Sequence, residues 1–315
     1  MSAFEAATEI ERLIGRAPRL TVEDVVGHPR LPEARKVYLD RFLDLYDGDP
    51  FLVRLLIESG RFLVFLLTAL LEAAQDPARR ETWVTVGRLK ETMALFGFAS
   101  GRQIDHLLGR LCAVGFMQLR PSDRDRRVRI LSTTEKLQAH FGAWLAAHYA
   151  PLVCLYPQYD YGPVMRHDPE YRAVHCRLAV PFLPLASKLL ASLPEVMLFF
   201  NRPAGSMVMN ALLQAAMTGS NDPHAAVPYE SVGDRFGVSR THVRSLLVAA
   251  QDEGLVKLHA RGGHRVEILP RLWSCTDRGM AIGMYLHDAN YLAAMKEFRE
   301  TRLPSAGRAL PGLPD

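Results

Sequence analysis

The chain is short of the features that advertise most protein classes. It has no GxxxxGK(S/T) phosphate loop, no GxSxG elbow and no HExxH motif, and no paired carboxylates stand apart from charged helices, so neither catalytic residues nor a cofactor are expected. Its four cysteines, Cys112, Cys154, Cys176 and Cys275, form no CxxC pair. That argues against a disulfide framework and a metal site, and suits reduced thiols in a cytoplasm. Long apolar runs are missing as well. Residues 51–74 are cut by Arg54, Glu58 and Arg61, and 178–200 by Lys188, Glu195 and three prolines, so no membrane span is expected. Glu5, Glu9, Glu11, Arg12 and Arg16 leave no apolar core for a secretory signal. Nor is there an excess of one charge. Lys plus Arg number 38 against 34 Asp plus Glu, a net +4, which excludes a uniformly basic nucleic-acid packager and requires useful cations to be clustered.

What is present centres on residues 236–254. Gly237 can close a turn after a short helix, and Ser239 can cap the next one. Val243, Leu246, Leu247 and Ala250 then recur at the spacing that buries one helical face. The opposite face carries Ser239, Arg240, Thr241, His242, Arg244 and Ser245. Cations and hydroxyls crowding the first turns suit a recognition helix in a DNA major groove.

The pattern occurs twice. Phe96-Gly97 leads into Ser100 to Arg110 and closes at Gly115, and counted back from the closing glycine, Ile104, Leu108 and Leu111 match Val243, Leu247 and Ala250. Residues 69–74 mirror 211–216 upstream, and Thr134 mirrors Thr276 downstream. Ser100, Arg102, Gln103, His106 and Arg110 are the readers expected in this first copy. After each helix comes a short strand, a basic turn and a second strand. Residues 120–129 hold five arginines, Arg120, Arg124, Arg126, Arg127 and Arg129, with Asp123 and Asp125 spaced to pair with neighbouring guanidiniums. Arginines at a hairpin tip suit phosphates and a narrow minor groove. The second hairpin, 259–266, offers Arg261, His264 and Arg265 around Gly262-Gly263 and lacks the aspartates.

Through residues 123–135 and 237–241 the chain resembles the MarR family of bacterial winged-helix transcription regulators, as a fused pair. Members of that family pair through helices at both chain ends. The resemblance therefore implies a monomeric pseudo-dimer that covers one stretch of double-stranded DNA with two recognition helices. The expected fold is mostly α with small β wings, namely tandem winged helix-turn-helix domains joined by helical segments.

The chain then divides into N-terminal helices with the first winged helix (1–148), a Tyr- and Pro-rich linker (149–172), a second helical and winged-helix domain (173–303) and a disordered tail (304–315). Ser231 and Asp234 are spaced for a capping box at the start of the second unit. Blander readings stand beside the functional ones. A helix-turn-helix pattern can be a purely structural repeat, and a tandem winged-helix protein can be a non-catalytic adaptor for another protein. Cys112 reads as a packing residue rather than a redox switch. Met207, Met209 and Met217, with Phe199 and Phe200, read first as core and second as the lining of a small-molecule effector pocket between the domains.

Overall fold

The computed structural model describes residues 3–302 except 48, 57–60, 98 and 219–223, so the expected tail lies outside the described residues. The fold is mostly helical with two small antiparallel sheets. Its first half runs α1 (Ala3–Ile14), α2 (Val22–Val26), α3 (Leu31–Asp44), α4 (Pro50–Leu56), α5 (Arg61–Ala73), α6 (Val86–Ala94), α7 (Gly101–Ala113), β1 (Met117–Pro121), β2 (Arg129–Thr133) and α8 (Glu135–Leu155). The second runs α9 (Gly162–Met165), α10 (Pro169–Ala179), α11 (Leu183–Ala191), α12 (Pro194–Phe200), α13 (Gly205–Thr218), β3 (His224–Ala225), α14 (Tyr229–Phe236), α15 (Arg240–Asp252), β4 (Val256–Leu258), β5 (Val266–Ile268) and α16 (Pro270–Arg302).

Each half ends in the same order of helix, turn, helix and antiparallel hairpin, followed by a long helix. β1 pairs with β2 from Met117–Thr133 to Pro121–Arg129, and β4 pairs with β5 from Val256–Ile268 to Leu258–Val266. A third backbone segment joins each hairpin ahead of its first helix: the Leu131 amide donates to the Val84 carbonyl (2.8 Å), and β3 pairs with β5. The correspondence stops at the final helix. Thr134 caps α8, its Oγ1 accepting from the Leu137 amide, whereas α16 already starts at Pro270. Thr276 therefore sits inside α16 and donates to the Leu272 carbonyl (2.7 Å), so the matched threonines play different parts. Proline suits a helix start because its missing N–H and fixed φ cost nothing there.

The remaining helices form a layer shared by both halves. α3 packs on α8 and α13, α10 on α5 and α16, and α16 also on α1, α2 and α8. Arg19 joins the chain ends, its Nε donating to Asp288 of α16 (2.9 Å) while Tyr161 Oη donates to the same carboxylate (2.6 Å). Arg35 of α3 and Asp277 of α16 form a second tie, bidentate at 2.5 and 2.6 Å. Only Asp288 of these four charged groups is fully buried, and its pair is the costlier to break singly, because losing Arg19 strands its charge out of water.

Residues 149–172 differ from the loose linker that their composition suggests. They hold the last turns of α8, all of α9 and the start of α10, and Tyr149, Tyr161 and Tyr171 are fully buried. Tyrosine supplied apolar area there as well as polarity. The apolar stretch 51–74 is likewise two helices, α4 and α5, separated by residues outside the described set. Pro169–Ala191 has the length and hydropathy of a membrane span by composition alone; it comprises α10, a 3-10 turn and α11, with α10 packed on α5 and α16.

Candidate nucleic-acid interface

The second helix of each helix–turn–helix unit is set by the same local devices. Gly97 and Gly237 end the first helices with φ of +68° and +69°, a left-handed conformation that costs glycine little. Ser100 and Ser239 cap the second helices, each side chain accepting from the amide three residues on. The helices also end alike: the Phe116 amide donates to the Leu111 carbonyl and the Leu255 amide to the Ala250 carbonyl, both at 2.9 Å. Ile104, Leu107, Leu108 and Leu111 are buried on α7, as are Val243, Leu246, Leu247 and Ala250 on α15. Burial of such side chains contributes about 1.5–3 kcal/mol each and fixes which face looks outward.

On the outward face of α7, Ser100, Arg102, Gln103 and His106 are exposed and Arg110 is half-buried. Gln103 is already occupied. Its Oε1 accepts from the Ser100 amide (2.8 Å) and the Ser100 hydroxyl (2.9 Å), closing a capping box, so these two expected readers hold the helix start. The capping box foreseen at Ser231 and Asp234 does not form: both lie inside α14, whose N-terminus follows Pro228 without a side-chain cap. Lys90 of α6 pairs with Asp105 of α7 (2.7 Å), leaving Arg102 and His106 as the freer groups of the first face.

On α15, Ser239, Arg240, Thr241, Arg244 and Ser245 are exposed. His242 is not one of them. Half-buried, it turns inward so that its Nε2 lies 2.8 Å from the Pro203 carbonyl, which removes it from the expected reading face. Four-residue spacing sets Arg240 and Arg244 on the same face, while His242, two residues from each, lies about 160° from either arginine on the helical wheel.

The hairpins differ more than the helices. In the first, Arg120, Arg124, Arg126, Arg127 and Arg129 are all exposed. Arg129 donates to the Leu119 carbonyl across the hairpin (2.8 Å) and Arg120 to Gln118 beside it. The expected pairing of aspartates with neighbouring wing arginines does not occur at Asp125, which accepts from the Arg127 backbone amide (3.1 Å) and pairs with Arg80 (3.3 Å), outside the hairpin. Arg80 was missed in the sequence, although the basic pair Arg79-Arg80 just ahead of α6 is a local signal for it. In the second hairpin Arg261, His264 and Arg265 are exposed, but Arg265 leans on His224 (3.5 Å) and His259 bonds Glu267 (2.7 Å).

Those last residues are also the one group among the described residues with metal-ligand chemistry. His224, His259 and Glu267 bring one ligand atom each within 4.8 Å of the others, because His224 and Glu267 face one another across β3 and β5. The His259 contact lowers the Glu267 carboxyl below its usual range, and Lys257 adds to the effect. The nearby cations, Lys257 and Arg265, work against a bound metal ion by repulsion.

Long-range contacts brace the second unit from the first half. Arg235 of α14 pairs with Asp47 (2.9 Å), and a Cβ at Gly237 would lie 3.1 Å from the Arg54 side chain of α4. Arg271 of α16 donates to the carbonyl of Glu253, the C-cap of α15 (2.9 Å), while pairing with Glu195 (2.8 Å), whose carboxyl is lowered first by its own backbone amide and then by this contact. No family model, curated protein or solved structure matches this chain.

Proposed function

We propose that the protein is a sequence-specific, double-stranded-DNA-binding transcription regulator of the kind its MarR-like motifs suggest, with two winged helix-turn-helix units in one cytoplasmic chain. One observation carries the reading. In the first unit, the helix that follows the glycine turn exposes Arg102 and His106 beside a hairpin exposing Arg124, Arg126 and Arg127. A recognition helix next to a cationic wing can neutralise phosphates on both sides of the base edges it reads. Arg240 and Arg244 give the second helix the same capacity, and an arginine there suits bidentate contact with guanine. The reading predicts two adjacent major-groove segments per chain, with centres about one helical turn, or 10 bp, apart.

Selection of bound fragments from genomic DNA, followed by footprinting and salt titration, tests this. A selected site with steeply salt-dependent affinity is the expected result, and equal, weak binding to every fragment overturns it. A second reading, in which the second unit is an adaptor for another protein, draws on the inward His242 and the self-paired second hairpin. It makes the different prediction that binding to DNA survives removal of Arg240 and Arg244.

A further inference from the structure

A cavity of about 360 Å³ lies in the shared helical layer, a volume within the range that holds small-molecule ligands. Both halves of the chain build it: Phe42, Leu66 and Trp144 from the first, Phe182, Met209 and Met280 from the second. Of the residues suspected from sequence, Met209 and Phe200 line it, while Met207 and Phe199 are packed away in the core. Gly283, in the interior of α16, also faces the space, and a Cβ there would meet nothing within 4 Å. Glycine is a poor helix-interior residue, yet here its missing side chain leaves the cavity wide.

The lining is mostly apolar; besides Arg35, Asp277 and the scattered Ser206, Asn210 and Thr276, its polar groups gather where His148, His175, His287 and Asn290 meet. Burial pushes His148 down to about 4 and His175 down to about 3, and His287 falls well below the usual histidine range, so all three are neutral near pH 7. His148 and His287 keep some accessible surface although protein surrounds them, because both line the cavity. Asn290 donates through Nδ2 to the His175 carbonyl (3.1 Å), leaving its buried Oδ1 with no partner. The ring nitrogens of His287 have no hydrogen bond among the described residues. Arg35 and Asp277, the charged side chains of the lining, are already paired with each other.

We propose that this cavity binds an uncharged, hydrophobic small molecule bearing a hydroxyl group. The hydroxyl donates to Asn290 Oδ1 and accepts from the neutral His287 ring, and the remaining body fills the apolar space between the halves. An orphaned buried acceptor calls for such a donor. A carboxylate has no free cation to meet it here, so an anion is excluded by desolvation.

Binding is tested on the full chain with the fluorescent neutral probe N-phenyl-1-naphthylamine, displaced by 1-naphthol, naphthalene or 1-naphthoate. Saturable, equimolar probe binding is expected, with 1-naphthol displacing it roughly three- to tenfold more strongly than naphthalene. Naphthoate should be weaker than naphthalene. Asn290→Leu should erase the advantage of naphthol while keeping naphthalene, and Gly283→Leu should abolish most probe binding without lowering the melting temperature. Should Asn290→Leu fail to fold, the order of the three competitors on the unchanged chain decides. The proposal is overturned by non-saturable probe binding, by naphthoate as the best competitor, or by full binding in a folded Gly283→Leu protein. DNA enters none of these measurements, so their outcome is separate from the regulator reading.

Discussion

The two helix–turn–helix units share their scaffold and differ in their surfaces. Gly97 matches Gly237 in φ, Ser100 matches Ser239 as a cap, and the buried quartets of α7 and α15 occupy the same face. Their hairpins diverge. The first carries exposed arginines on and between five-residue strands, whereas the second has three-residue strands and folds His259 and Glu267 onto each other. Backbone conformation and core volume tolerate little change, while solvent-facing side chains are held by few contacts and can change at small cost. The difference teaches that a shared framework need not mean an equal share in the proposed DNA contact.

Acid should have the largest effect, and it asks whether the units fold as one body. His148 and His175 titrate far below an unfolded histidine, at about 4 and about 3, because burial disfavours their charged forms. The unfolded chain therefore binds more protons below the ordinary histidine pKa of about 6.5, and stability falls as pH drops through that value toward the folded ones. From pH 7 to pH 5 the loss should be about 2 kcal/mol per histidine. Melting curves should shift down as a single transition; two separate transitions would break the picture of one shared helical layer.

Leu247→Ala and Leu108→Ala compare the two scaffolds directly. Each removes a buried side chain and should cost about 2–5 kcal/mol, read by denaturant unfolding, with DNA affinity falling only as far as the folded fraction falls. A cost near zero in one unit would mean that its helix is not packed as the other is.

The hairpins should separate under alanine substitution. Replacing Arg124, Arg126 and Arg127 should leave the fold intact and flatten the dependence of log affinity on log salt by roughly 2 to 3 units. Replacing Arg261 and Arg265 should flatten it less, and equal slopes in the two mutants would remove the proposed asymmetry. Arg240→Ala, the most local change, should lower preference for a selected site over random DNA by about 1–3 kcal/mol while sparing non-specific binding. His242→Ala should leave that preference nearly unchanged, since its ring is turned to Pro203. A titration in which the two mutants behave in reverse would return His242 to the reading face.

Local devices were legible in the sequence because their causes lie within a few residues. Periodicity set the buried faces of α7 and α15, glycine marked the turns, and the arginine cluster of residues 120–129 is exposed as its charge requires. Tertiary structure decided whatever depended on distant partners. The linker composition of residues 149–172 could not disclose that Tyr149, Tyr161 and Tyr171 are buried against α16 and one another. Helical spacing alone could not show that His242 finds the Pro203 carbonyl or that Asp125 finds Arg80. Nor could it show a cavity, since its walls come from segments more than 200 residues apart, from Arg35 to Asn290. Sequence by itself specified turns, caps and helix faces through short-range sterics and hydrogen bonding; which polar groups stayed free to meet a ligand was settled only when the halves packed together, because burial and partnership are properties of the whole fold.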